Sequence, residues 1–219
     1  MKYLFFALLV FFSVVHLMDS YRDDEKKRPC TKPFLLPLIL CYYLFSVGTP
    51  SWILLGALIT SWLGDVLLIP KSKVCFILGG SAFTACHFFF IFVYSANVDF
   101  TCIKPHILFP VALLYLALIV WDFRALWSHM NMVMKICMTV YLTANATMNL
   151  FALMQLISNP CLGTAIAYTG AVLFFVSDIT LFLVRFHKNR HLVFKRHFTV
   201  MLTYILGEFL ITQGVILLG

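Results

Sequence analysis

Two acids sit where a charge is hard to accommodate. Asp178 lies in Val176-Ser177-Asp178-Ile179-Thr180-Leu181, inside an apolar run from Gly163 to Val184. Asp65 lies in Leu63-Gly64-Asp65-Val66-Leu67-Leu68, with the same order of small residue, acid, two further positions and leucine. A carboxylate in the middle of a membrane-length helix costs about 2.5–3.5 kcal/mol on insertion scales, so each acid needs a function or a partner. Two facing carboxyl groups can divide proton work between them. One acts as a protonated acid, the other as an ionised base, with room for water between, as in an inverting glycosidase. Such a pair titrates as a unit. Which of the two is acid and which is base stays open, with Asp178 favoured as the acid and Asp65 as the base; the structural alternative is an interhelical pair that closes the bundle.

Further polar residues recur at helical spacing. His87 lies near the middle of an apolar stretch, with Ser81 and Thr84 on related turns. Tyr141, Asn145 and Asn149 recur every four residues, as do Tyr204, Glu208 and Thr212, so each set forms a stripe on one helix face. The stripes imply an internal polar pocket shared by the third, fourth, sixth, seventh and eighth helices. His87, Tyr141 and Asn145 would orient water and a leaving oxygen, and Asn149, Tyr204 and Glu208 would complete the substrate-binding wall. Lys32 is a candidate phosphate contact, or a plain topology charge. The bland alternative for an Asn or Tyr is a hydrogen bond to a neighbouring helix, about 0.6 kcal/mol on average. For His87 it is a packed partner.

Other chemistries find little support. The seven cysteines show no C-x-x-C spacing, and no cofactor is expected. A zinc site would have to be built from His87, Asp65 and Asp178, whereas catalytic zinc draws heavily on histidine. Gly79-Gly80-Ser81-Ala82-Phe83 falls one residue short of a nucleophile elbow and lies in a helix. No phosphate-binding loop or dinucleotide fingerprint is present. Asn145-Ala146-Thr147 matches a glycosylation sequon but sits mid-membrane. His187 and His191, four apart in a basic loop, suit contact with anionic lipid better than a metal. Cys102 and Cys161 fall in two loops on one side, where either a disulfide or two free thiols is chemically allowed.

Positioning these groups requires a membrane scaffold. The chain has 219 residues, 62% hydrophobic and 11% charged, with mean hydropathy +0.96. Soluble domains carry about 25% charged residues. A single all-α integral membrane domain over residues 1–219 is expected. Runs of at least ~17 apolar residues can cross the ~30 Å hydrocarbon core, and backbone groups in lipid must pair within the segment. Eight transmembrane helices are read at 3–18, 33–47, 51–69, 75–94, 106–121, 131–156, 162–184 and 198–218. Gly48-Thr49-Pro50 and Ser158-Asn159-Pro160 mark turns. The first run could be a signal peptide, but no small-residue cleavage site follows it. Fourteen of the sixteen Lys and Arg, Lys71 and Arg190 included, gather on one side, with only Lys2 and Lys104 opposite. The positive-inside rule makes that side cytoplasmic and both termini non-cytoplasmic. The net charge of +7 thus reads as topology rather than nucleic-acid binding.

Asp65 lies five residues before Pro70 and Asp178 seven before Arg185, which sets both roughly 7–11 Å inside the cytoplasmic boundary. The third and seventh helices run in the same direction, so two parallel four-helix halves are conceivable, with chance similarity the simpler account. Buried acids also mark transport pathways. A transporter or channel, or a non-catalytic lipid-binding bundle, is therefore the rival to an enzyme. Nothing in the sequence points to an oligomeric state.

Thr31-Lys32-Pro33, Gly64-Asp65, His87 after Ser81, Ala82 and Ala85, Val140-Tyr141 with Met148, Ser177-Asp178, and Thr203-Tyr204 before Leu210-Ile211 occur in that order. From about residue 31 to 213 the chain thereby resembles the YhhN-like lysoplasmalogenases. It departs from them at Cys86, where the family tends to have alanine or glycine. It departs again at Ile205 and Glu208, where the family usually has tyrosine and glutamine. The resemblance implies a multi-pass enzyme that hydrolyses the vinyl ether bond of lysoplasmalogens. The products are a fatty aldehyde and glycerophosphoethanolamine or glycerophosphocholine. It also implies a lysophospholipid substrate drawn from membrane lipid, in the endoplasmic reticulum membrane of a eukaryote or the inner membrane of a bacterium.

Overall fold

A computed structural model describes residues 1–70, 72–189 and 192–218. Lys71, Arg190 and His191, read from the sequence as loop residues, lie outside them. The described residues form eight α-helices and two short 3-10 turns, with no strand. The helices are α1 (Lys2–Tyr21), α2 (Arg28–Leu44), α3 (Trp52–Leu67), α4 (Lys73–Ser95), α5 (Pro105–Leu126), α6 (Met132–Ser158), α7 (Leu162–Phe186) and α8 (His197–Ile216). Six of these, α1 and α4 to α8, are long and apolar enough to cross a membrane; α3 is a shorter apolar helix.

The helix starts follow local chemistry. Ser51, Ser72 and Asn131 cap α3, α4 and α6, each side chain accepting the N–H three residues on. The largest departure from expectation is α2, which begins at Arg28 rather than residue 33 and runs through Pro33 and Pro37. Pro29 occupies its first turn, where a missing N–H costs little. Pro37 cannot donate to the carbonyl of Pro33. The Trp62 indole of α3 donates to that carbonyl instead, at 3.0 Å. A freed backbone group thus becomes a tie between α2 and α3.

The helix α5 also outruns its expected end and carries Asp122 into the fold. Asp122 is fully buried, and neither of its oxygens has a hydrogen-bond partner among the described residues. The disulfide alternative is not realised: Cys102 and Cys161 are free, as are the other five cysteines.

Both helix pairs that carry the paired acids are packed through glycine. A Cβ on Gly170 of α7 would lie 2.6 Å from the Ile211 nitrogen and 2.7 Å from the Gly207 oxygen of α8. One on Gly214 would lie 2.6 Å from the Gly163 oxygen. The α7 and α8 backbones therefore touch, as small residues allow between membrane helices. In α3, a Cβ on Gly64 would meet the Phe83 ring of α4 at 2.5 Å. Asp65, next in sequence, is thereby held at a fixed distance from α4. Large apolar side chains such as Phe11, Phe92, Phe109 and Leu114 point outward, as a lipid-facing surface requires.

Candidate active site

Asp65 and Asp178 line one cavity of about 380 Å³. Both are almost fully buried, at 2% and 3% exposure. The cavity is walled by α1, α2, α3, α4, α7 and α8, not by the helix set expected from the polar stripes. Its mouth lies among the α1–α2, α3–α4 and α7–α8 connections. Arg28, Arg185, Arg196 and His197 stand there beside Asp23 and Glu25. An apolar recess of about 250 Å³ between α4, α6 and α7 adjoins it. Leu68, Phe76, Phe83 and Leu181 border both spaces.

The Asp65 carboxylate is clamped from two sides. Lys32 of α2 places its ammonium 3.0 Å from Oδ1. The Tyr204 hydroxyl of α8 donates to Oδ2 at 2.8 Å. Lys32, read from the sequence as a candidate phosphate contact or a plain topology charge, faces an acid first. Tyr204 also meets Ser61 at 3.0 Å, and Ser61 contacts Glu208. Ser61 was not singled out from the sequence. It stands one helical turn before Asp65, a spacing that places it on the same face.

Asp178 has a different set of partners. The Asn145 amide of α6 donates to its Oδ2 at 2.5 Å. The imidazole Nε2 of His87 lies 3.5 Å from the same oxygen, and neither ring nitrogen has a hydrogen-bond partner among the described residues. The ring is fixed by packing, with Tyr141 and Phe174 each 5.1 Å away between centroids. Asn149 donates to the Asn145 side chain at 2.9 Å and accepts from the Tyr115 hydroxyl at 3.0 Å. The α6 stripe thus holds Asp178 in place from behind.

Of the residues read from the sequence, Lys32, Asp65, Asp178 and Tyr204 line the main cavity. Tyr141 lines the apolar recess. His87, Asn145, Asn149 and Glu208 line neither and stand one layer back. Arg28, Arg185 and Arg196 were read only as topology charges, and His16 was not read at all. The His16 Nδ1 is 2.7 Å from the Thr31 hydroxyl, and its ring lines the cavity. No group of three His, Cys, Asp or Glu side chains among the described residues is placed to hold a metal ion.

An all-helical, multi-pass membrane protein with two acids on one internal cavity is the class that the fold and site define. A profile of the YhhN family matches residues 27–215, and the chain belongs to that family, the family of lysoplasmalogenases. No curated protein and no solved structure matches it.

Proposed function

We propose that this protein is a lysoplasmalogenase, a hydrolase that cuts the vinyl ether bond of lysoplasmalogens by paired-carboxyl acid–base catalysis. The observation that carries the reading is that Asp65 and Asp178 open on one cavity. Family membership supports it. The cavity also has the amphipathic layout that a lysophospholipid needs, with cations at the mouth and an apolar recess alongside.

The chemistry follows from the bond. Asp178 gives a proton to the outer vinyl carbon, and the resulting oxocarbenium ion is captured by water. Asp65 takes the proton that the water loses. The hemiacetal then collapses to a fatty aldehyde and the glycerophospholipid alcohol. The hemiacetal hydroxyl proton goes to the leaving oxygen and the proton taken up by Asp65 passes back to Asp178, so each turnover consumes one water and no net proton. Asn145 would keep Asp178 turned toward the substrate. The arginines at the mouth would receive the headgroup phosphate.

The test presents detergent-purified protein with lyso-lipids bearing vinyl ether, alkyl ether and acyl links. Aldehyde is expected from the vinyl ether alone. Release of fatty acid from the acyl lipid, or no product from any of the three, would sink the reading. A transporter or passive lipid carrier gives no product in detergent, where no gradient exists.

The site would sit at the cytoplasmic face of the endoplasmic reticulum membrane or of a bacterial inner membrane. We read all eight helices as spanning, with both termini non-cytoplasmic, because the basic connections lie at the cavity's end of the bundle. Single-cysteine labelling should find Lys188 positions protected from an impermeant reagent added outside, and Lys104 positions reactive. The opposite pattern would invert the topology.

A further inference from the structure

Glu208 is fully buried in α8, lines neither cavity, and has no place in the reaction scheme above. It is joined to Asp65 by a single file of oxygens. Glu208 Oε1 contacts Ser61 Oγ, Ser61 Oγ is 3.0 Å from the Tyr204 hydroxyl, and that hydroxyl is 2.8 Å from Asp65 Oδ2. Three oxygen–oxygen contacts need three hydrogens. A serine and a tyrosine hydroxyl bring one each. The third hydrogen has to come from a carboxyl at one end of the file.

The two ends differ. Asp65 faces the Lys32 ammonium at 3.0 Å, so a proton there would put a neutral group beside the cation and forfeit the ion pair. Glu208 has no such partner among the described residues. The ionisable groups that bear on it are Asp65 on α3, Cys86 and Tyr94 on α4, Asp178 on α7, and Tyr204 on its own helix. None of these is a cation. Its Oε2 has no hydrogen-bond partner among the described residues, which a buried carboxylate tolerates badly and a neutral carbonyl oxygen tolerates better.

We propose that Glu208 is held protonated and fixes the direction of this hydrogen-bond file, Glu208 to Ser61 to Tyr204 to Asp65, so that the Tyr204 hydroxyl always points its hydrogen at Asp65 and keeps that carboxylate ionised as the base. Glu208 is then a positioning residue that acts through two hydroxyls. With Glu208 ionised, Ser61 would turn its hydrogen toward Glu208. Tyr204 would then be shared between Ser61 and Asp65, and the base would lose a committed donor. The inference rests on the proposed reaction only for the role of Asp65. The order of the protons stands on geometry.

Infrared spectroscopy reads the proton directly. The difference spectrum between wild type and Glu208→Gln, in detergent at neutral pH, is expected to contain one protonated-carboxyl C=O stretch belonging to wild type. In turnover, Glu208→Leu should lower kcat about 10-fold more than Glu208→Gln, because an amide N–H can still donate to Ser61 and a leucine cannot. Absence of the carboxyl band, or equal loss in the two variants, overturns the proposal. If Glu208→Leu fails to fold, the wild-type and Glu208→Gln spectra decide alone. A band present in protein that cuts no vinyl ether would remove the proposed reaction and leave the proton order standing.

Discussion

Asp178→Asn is expected to lower kcat for vinyl ether cleavage at least ~10²-fold, with Asp65→Asn losing as much, the usual scale of a general acid–base contribution. The substitutions keep side-chain volume and some hydrogen bonding, so their effect reports on the proton rather than on packing. Asparagine at 178 can still meet the Asn145 side chain, which now approaches Asp178 Oδ2 at 2.5 Å, but it has no acidic proton to give to carbon. Asparagine at 65 can still accept from Tyr204 but takes no proton from water. Both side chains are nearly fully buried, so each variant must be shown to fold before its rate is read. The check is aldehyde release by purified protein that a detergent melt shows to be folded at the assay temperature, since Asp65→Asn also leaves Lys32 unpaired. A well-folded variant that turns over at near the normal rate would remove that acid from the mechanism. Equal loss in both singles and in the double variant is the pattern expected of groups that work as a unit.

How far the site was legible in the sequence follows from the physics of lipid. Asp65, Asp178, His87 and Glu208 announce themselves because an ionisable side chain in an apolar run has few innocent explanations. The stripe Tyr141, Asn145 and Asn149 is visible because a helix repeats its faces every three to four residues. It was legible as a polar face but not as a rear support for Asp178. Ser61 carries no such signal, since a serine or threonine in a membrane helix commonly returns its hydroxyl to its own helix, as Thr60, Ser81 and Thr84 do here. Arg28, Arg185 and Arg196 were hidden by a competing explanation. Loop cations are expected at a cytoplasmic face whatever they touch. The true length of α2 was obscured by prolines that normally end helices. That Trp62 answers the carbonyl freed by Pro37 is a tertiary fact, which no local pattern encodes.

The Lys32–Asp65 pair yields the second large effect, and it separates structure from chemistry. Lys32→Met is expected to cost about 3–5 kcal/mol of stability, the scale for stranding one member of a buried ion pair. The Lys32 side chain retains 17% exposure, so the pair is not fully buried, and Asp65 can escape by taking up a proton, so the lower end of that range is the expected value. That escape removes the ionised base, so turnover should fall with the stability. In Lys32→Met combined with Asp65→Asn, no charge is left to strand. Stability is expected to return most of the way toward wild type, because a buried pair replaced on both sides is often close to neutral. Turnover is expected to stay as low as in Asp65→Asn. The measurement is a double-mutant cycle run on two readouts, denaturation in detergent and aldehyde release. Additive stability losses would mean that the two groups do not hold each other. Recovered activity in the double variant would mean that Asp65 is there for Lys32 alone. Recovery of the fold without recovery of the rate is what a catalytic carboxylate with a structural counter-ion requires.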